Sequence, residues 1–158
     1  MSLTEREYQK FWHGFITYME SCYPQYVQRQ PSKNKNQIVP RTWFGEAMRI
    51  AAGINFGEEN SIQVDLTINF KGQRDLTKDW YKKLKNYERD IKREIGVSGK
   101  NWRPDLRPDK PESWIILKEP AHPEEKHWPD HYVWLAEKVH KFHDVFAPII
   151  NKIAAETS

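Results

Sequence analysis

Four of the chain's six histidines lie close together, in the stretch HWPDHYVWLAEKVHKFHD at residues 127–144. Histidine is a common metal ligand and titrates near neutral pH. His140 and His143 are three residues apart and would form a chelating pair on a helix. No cysteine pair, HExxH motif or third ligand accompanies them. We therefore predict no metal site and no cofactor here, and we expect His131 to cap or pack and the others to lie at the surface.

Two tripeptides that begin with an acidic residue and end with lysine suggest a second kind of site, that of a metal-dependent nuclease. Such an enzyme needs a carboxylate on one strand and a D/E-x-K tripeptide on the next, to hold Mg²⁺ and to orient water. The candidates are DIK at 90–92 and EEK at 124–126, with Asp65 as the other carboxylate. The first falls on a predicted helix and the second in a proline-flanked loop. No catalytic residue is assigned, and a nuclease that uses Glu124 and Lys126 remains a hypothesis.

The single cysteine, Cys22, permits no intramolecular disulfide. Its spacing from Tyr18 and Met19 places it on the apolar face of a helix, which predicts a buried packing residue without catalytic reactivity. No apolar run follows the charged opening MSLTEREYQK. The expectation is a cytoplasmic protein with no membrane partner.

The N-terminal segment has a clear helical pattern. Large apolar residues recur at spacings of three and four, and Thr4 and Glu7 occupy the positions of a capping box. The sequence predicts a helix over 5–22. The polar and proline-bounded segment that follows, 24–41, predicts a mobile loop.

The strand signals are short and lie in the middle of the chain. Apolar alternation around the turn GEEN predicts an antiparallel hairpin with strands near 47–55 and 61–70. SWIIL at 113–117 is another candidate strand because it is short, apolar and β-branched. RTWFGE at 41–46 is a candidate for a short additional strand, and together they complete a small sheet. The predicted fold is a single α+β domain over 1–158. Three to four antiparallel strands pack against an N-terminal helix, a central basic helix and a long C-terminal helix.

The central helix, predicted over 76–95, separates its charges. At about 100° per residue, its apolar side chains share one arc and its basic side chains share another arc of about 100°. Like charges one turn apart cost a few tenths of a kcal/mol each, which an anionic partner would remove. The basic residues are Lys78, Lys82, Lys85, Arg89, Lys92 and Arg93.

Basic residues continue past the helix at Lys100 and Arg103, with the aromatic Trp102 between them. Residues 71–110 hold thirteen basic and seven acidic residues, so this segment carries +6 while the whole chain carries +3. Cations beside an aromatic ring are typical of nucleic-acid binding, where lysine and arginine neutralise phosphates and a ring stacks on a base. The alternative is a charged helix face that is merely solvated or contacts protein.

The last long element is an amphipathic helix predicted over 130–154. Its apolar stripe includes Leu135, Phe142 and Phe146. Pro148 predicts a kink or a stop near Ala147, because an interior proline removes a helical hydrogen bond.

Three motifs stand out in the C-terminal half. They are the strand SWIIL, the run of Trp128, Pro129, Trp134 and Leu135, and the ending of Phe142, Phe146, Pro148 and Ile150. These motifs lie beside apolar faces and indicate a fold more than an activity. In them the chain resembles a bacterial and archaeal family, domain-of-unknown-function family 4268, and the resemblance extends over residues 8–152. Members often follow restriction-nuclease-like domains, so the resemblance implies an accessory role in nucleic-acid metabolism or defence.

Three functional hypotheses follow. The first is an accessory nucleic-acid-binding domain without chemistry of its own, using the six helix cations, Lys100 and Arg103 for phosphates and Trp102 for stacking. The second is a protein-interaction or homodimerisation module, in which the acidic region 119–144 pairs with a basic surface. The third is the metal-dependent nuclease. We prefer the first because the charges are segregated.

Overall fold

The structure is a computed structural model that describes residues 3–27, 36–97 and 99–157. Helix α1 runs over Glu5–Cys22 and confirms the predicted capping box, in which the Thr4 hydroxyl accepts from the Glu7 backbone N–H and the Glu7 carboxylate accepts from the Thr4 N–H. The prediction for Cys22 is wrong, because that side chain is exposed. The buried face of α1 ends at Met19, so the last turn lies beyond the core.

The segment predicted as a mobile loop divides into parts. Residues 28–35 lie outside the described residues. Before them, a 3-10 helix covers Pro24–Tyr26, and after them strand β1 covers Gln37–Ile38. Tyr26 and Ile38 both belong to the core cluster. The described ends of this segment are therefore packed against the domain.

The described part of the chain forms one antiparallel sheet of six strands, where three to four were predicted. The order is β1-β3-β4-β6-β5, and β2 also pairs with β3. The predicted hairpin is confirmed as β3 and β4. The short strands were hard to predict because two residues cannot show alternation and because proline is typical of loops. The bounds are β2 Trp43–Phe44, β3 Met48–Asn55, β4 Ser61–Ile68, β5 Trp102–Asp105 and β6 Ser113–Pro120.

The two faces of the sheet differ in what covers them. Ile62, Val64, Leu66 and Ile68 of β4 point to one face and join the core cluster with residues of the helices. We call this the core face. Side chains on alternate positions, such as Asp65, point to the opposite side, which we call the open face. Buried residues of the open face do not belong to the core cluster, so the described helices pack on the core face.

The central helix is two helices, α2 over Arg74–Lys85 and α3 over Glu88–Ile95. At the junction the N–H groups of Asn86 and Tyr87 bond three residues back, as in a 3-10 turn. This turn lets the two apolar faces pack in different places, because α2 contacts the sheet and α3 contacts the C-terminal helix. The single continuous helix of the sequence prediction is therefore wrong, so the helical wheel from which the basic arc was predicted does not extend across the junction.

The C-terminal helix α4 covers Trp128–Thr157 and continues through Pro148, so the predicted stop is wrong. Pro148 is exposed, whereas Phe146, Ile150 and Ile153 are buried. Packing on the buried side maintains the helix, and the lost hydrogen bond falls on the solvent side, where water can satisfy the free carbonyl. Among the described residues, no helix is long and apolar enough to cross a membrane.

Gly14 marks a close approach between α1 and α4. A Cβ atom on Gly14 would lie 2.4 Å from the Tyr132 hydroxyl oxygen. The tyrosine ring cannot move aside freely, because it packs on Phe11 and Phe15. We therefore expect Gly14→Ala to destabilise the fold by about 1–3 kcal/mol, although alanine is the better helix former by about 1 kcal/mol.

Urea denaturation of the native and Gly14→Ala proteins measures this effect. His13→Ala, at the adjacent exposed position, is the control for helix propensity and should change the free energy of unfolding by less than about 0.5 kcal/mol. A gain in stability on Gly14→Ala would contradict the close packing described for Tyr132.

Candidate nucleic-acid interface

The Lys78 side chain forms its hydrogen bonds within the protein. Its ammonium group donates to three backbone carbonyls at 2.8–2.9 Å, those of Leu106, Arg107 and Glu112, and it lies 2.9 Å from Ser113 Oγ. Burial lowers the pKa of Lys78, and the charge of Glu112 opposes this. These contacts join α2 to the connection between β5 and β6. Lys78 is therefore a structural cation, and we leave it out of the candidate phosphate contacts.

Lys85 and Trp102 belong to a second structural network. Lys85 pairs with Glu88, and the Trp102 indole N–H donates to the same carboxylate at 3.3 Å. Partial burial raises the pKa of Glu88, but these two hydrogen bonds and the charges of Lys85 and Lys92 together outweigh it, and the net change is downward. The Trp102 ring is 7% exposed and packs against Phe142. It is therefore buried on the core face and cannot stack on a base without leaving the core.

The remaining helix cations form the part of the predicted stripe that faces solvent. Lys82 and Arg89 are exposed, Lys92 is half-buried, and none of the three forms an ion pair with a described carboxylate. Arg93 is exposed and pairs with Asp90 at 3.0 Å. An exposed pair of this kind contributes little and exchanges easily. We call this set the basic surface: Lys82, Arg89, Lys92 and Arg93.

Lys100 and Arg103 lie at the β5 edge of the sheet, Lys100 in the 3-10 helix that precedes β5 and Arg103 on the strand itself. Arg103 lies on β5 opposite Ile116 of β6, so its side chain is on the open face. Its guanidinium donates to the Lys100 carbonyl at 3.3 Å and pairs with Glu59 at 3.4 Å. Both cations are exposed. They place positive charge at the β5 edge of the sheet.

The histidines do not converge on one point. His131 is buried, as predicted, and its Nε2 lies 2.9 Å from the His122 carbonyl oxygen and 3.1 Å from the His122 backbone nitrogen. Burial lowers the pKa of His131. His140 and His143 are half-buried and contact aromatic rings of Tyr26 and Phe44, so neither is simply a surface side chain. Within the described ranges, no three potential ligands lie close enough to hold a metal.

The residues proposed for a nuclease are also separated. Glu124 and Lys126 are exposed beside the start of α4, where the neighbouring Glu125 pairs with Lys10 of α1. Asp65 points to the open face of the sheet, whereas these helices pack on the core face. The other tripeptide, DIK at 90–92, is on α3 with its isoleucine buried. The structure therefore brings no tripeptide together with Asp65.

Asp65 is a buried acidic residue whose surroundings the sequence pattern does not reveal. Its side chain is 5% exposed, at the centre of the open face. One carboxylate oxygen accepts from Thr67 Oγ1 at 2.8 Å and the other from Gln63 Nε2 at 3.3 Å. Burial raises the pKa of the Asp65 carboxyl, although these bonds and the charge of Arg49 act in the opposite direction. A buried carboxylate that forms no ion pair with a described cation is rare, and such groups are concentrated at functional sites.

A cavity of about 260 Å³ lies beside Asp65 on the open face. Asp65 pairs across the sheet with Ala51, and the neighbouring position on that side of β3 is Gly53. The Gln63 side chain covers Gly53, because a Cβ atom there would lie 3.2 Å from Gln63 Cγ. Polar and aromatic side chains surround the space, and they are Gln37, Arg49, Gln63, Thr67, Asn69, Glu112 and Trp114.

Two fixed groups define the rim of this cavity. The Arg107 guanidinium lies 3.6 Å from the centre of the Trp114 ring and pairs with Glu112, which holds the indole in place. The Asn69 side-chain oxygen is buried and accepts from no described donor. The alternation in VDLT indicates that Asp65 points away from the core face, but only the paired strands show which side chains bury it.

Comparison with known proteins gives the family of the chain and no further relative. No curated protein and no solved structure matches it. The model of DUF4268, described as a domain of unknown function, matches residues 7–150. The chain therefore belongs to the DUF4268 family, as the sequence motifs predicted.

Proposed function

We propose that this chain is an accessory nucleic-acid-binding domain with no chemistry of its own, acting in restriction, defence or DNA metabolism. The observation that carries the proposal is the unpaired state of Lys82, Arg89 and Lys92, on the consecutive helices α2 and α3, among the described residues. Unpaired cations on a protein surface attract polyanions, because binding releases the counterions condensed on the phosphate backbone.

The structure narrows the set of contacts that this function would use. Lys78, Lys85 and Trp102 already bind protein groups, so they contribute to the fold. Phosphates would contact the basic surface, and Lys100 and Arg103 would extend the contact around β5. This arrangement favours contacts with the sugar-phosphate backbone of the nucleic acid, which do not by themselves depend on base sequence.

Fluorescence anisotropy with labelled single- and double-stranded DNA and RNA, across a salt series, tests the proposal. We expect the native protein to bind with a log-log salt slope of several charges. Lys82→Glu/Arg89→Glu should weaken binding by at least about tenfold and reduce the slope by about two, since each phosphate contact contributes about 0.7–0.9.

The matched control is Arg6→Glu/Lys141→Glu, which changes the net charge equally at two exposed positions outside the basic surface. Its affinity should stay close to native. Equal losses in both double variants would mean that net charge alone determines binding. If the native protein binds none of the four probes at low salt, the nucleic-acid function is wrong, and sedimentation at several concentrations tests the homodimerisation hypothesis.

A further inference from the structure

The cavity beside Asp65 presents acceptors and donors next to each other. The buried carboxylate and the unpartnered Asn69 oxygen accept hydrogen bonds. Each carboxylate oxygen has two lone-pair directions, so one bond from Thr67 and one from Gln63 leave capacity for a ligand. Arg49 lines the same cavity and donates. A complementary ligand therefore both donates and accepts along one edge.

The shape of the cavity restricts the ligand further. Its volume is about 260 Å³, below the usual range for drug-sized ligands, which begins at about 300 Å³. The Trp114 indole supplies a flat wall that Arg107 and Glu112 hold in place. A small planar ring fits an aromatic wall, whereas a simple cation would face the positive charge of Arg49. Heterocyclic bases combine a flat ring with adjacent donors and acceptors.

The charges around the cavity favour a base that is attached to a phosphate chain. Arg103, Ile116 and Asp65 lie side by side on β5, β6 and β4. Two strand spacings, about 10 Å, separate the Arg103 and Asp65 backbones. Arg103 is exposed, so it can contact a phosphate while a neighbouring base enters the cavity. The exposed Trp43, 49% accessible and with Arg49 beside its ring, offers a second aromatic surface.

We propose that the cavity beside Asp65 binds one unpaired nucleobase of a single-stranded nucleic acid, with Asp65 and Asn69 accepting its N–H groups and Arg49 donating to its carbonyl or ring nitrogen. Trp114 forms the wall against which the base packs. This inference rests on the proposed function and adds a base contact on the open face to phosphate contacts on the basic surface. It makes the domain selective for single strands, because a paired base cannot enter the cavity.

The test compares single-stranded homopolymers about ten nucleotides long with an abasic strand of equal length, which has the phosphates and no bases. We expect the native protein to bind at least one homopolymer about fivefold or more tightly than the abasic strand. Asp65→Asn and Arg49→Gln should remove this difference. Lys82→Glu/Arg89→Glu should weaken the homopolymer and the abasic strand by the same factor.

Asp105→Asn is the matched control, since it makes the same change at an exposed position of the open face that does not line the cavity. It should keep the native preference, and thermal melting should show that all variants are folded. Equal binding of homopolymers and abasic strand by the native protein overturns the base pocket and leaves the proposed function standing. If neither strand binds but a duplex probe of the salt series does, the pocket is overturned and the proposed function stands. If none of the four probes binds either, the proposed function is wrong, and the pocket is then tested with free nucleosides by NMR. Absence of shifts around Asp65 and Trp114 overturns the pocket as well.

Discussion

Replacing Lys78 with methionine is expected to lower the free energy of unfolding by about 2–4 kcal/mol. Methionine keeps much of the lysine stem but removes the ammonium group. The carbonyls of Arg107 and Glu112 then lose this donor, whereas the Leu106 carbonyl retains the Ser113 hydroxyl at 2.6 Å. The loss concerns charge-assisted hydrogen bonds in a half-buried site, which are stronger than neutral bonds.

Lys82→Met is the matched control for this substitution. Lys82 lies one turn further along α2, is exposed and pairs with no described carboxylate. Its replacement should change stability by less than about 0.5 kcal/mol. Urea denaturation of the two variants gives the comparison. Similar stabilities for both would mean that the Lys78 contacts do not hold the β5–β6 connection to α2.

The second large effect is expected at Asp65, where a substitution should increase the stability of the protein. Asp65→Asn should raise the free energy of unfolding by about 1–2 kcal/mol near pH 8, because the amide is neutral and does not pay the desolvation cost of a buried charge. Thr67 can still donate to the asparagine oxygen, and the Gln63 amide can turn to present its own oxygen. A protein that keeps a destabilising group commonly uses it, which is why the site is a candidate for binding.

The pH dependence gives this prediction a sign that can be checked. The pKa of Asp65 is raised above its ordinary value of 3.8. At pH values between the pKa of the unfolded chain and that of the folded protein, the folded protein therefore keeps a proton that the unfolded chain has released. The contribution of Asp65 to native stability therefore falls as pH rises from about 4 through the pKa that Asp65 has in the folded protein. Above that pKa the contribution stays lower. Below about pH 4 both states are protonated and the cost disappears.

Denaturation of native and Asp65→Asn proteins at a series of pH values isolates this contribution, because other carboxylates cancel in the difference. The two proteins should be nearly equal in stability near pH 4, and the variant should be more stable near pH 8. Asp105→Asn, the same change at an exposed position of the open face, is the control variant. A native protein that is more stable than Asp65→Asn at pH 8 would contradict the direction of the pKa shift.

Much of the fold could be predicted because its elements carry strong local patterns. The capping box at Thr4 and the alternation in β4 are read directly from neighbours in sequence. The division between α2 and α3 could not be read in this way. Periodicity continues across Asn86 and Tyr87, and only the different packing partners of the two helices require the turn. The stop predicted as one outcome at Pro148 does not occur for a related reason, since burial of Phe146 and Ile150 on both sides of the proline outweighs its local preference.

The site was harder to predict than the fold because charge pattern does not show what a side chain contacts. Lys78 and Lys82 are the same residue type one turn apart, yet one binds backbone carbonyls of a distant loop and the other faces solvent. Trp102 follows a basic loop and is nevertheless a core residue of β5. Asp65 became informative only when strand pairing placed it among Arg49, Gln63 and Trp114.

The edges of the sheet have a consequence for self-association. At one edge the described strands β1 and β2 have two residues each, and at the other edge β5 contains Pro104, which has no N–H to donate. A strand from another copy would therefore find few backbone partners at either edge, and sheets could not extend from molecule to molecule. This protection lets the chain expose a broad, partly aromatic sheet face to a ligand while resisting the edge-to-edge pairing that leads to aggregation.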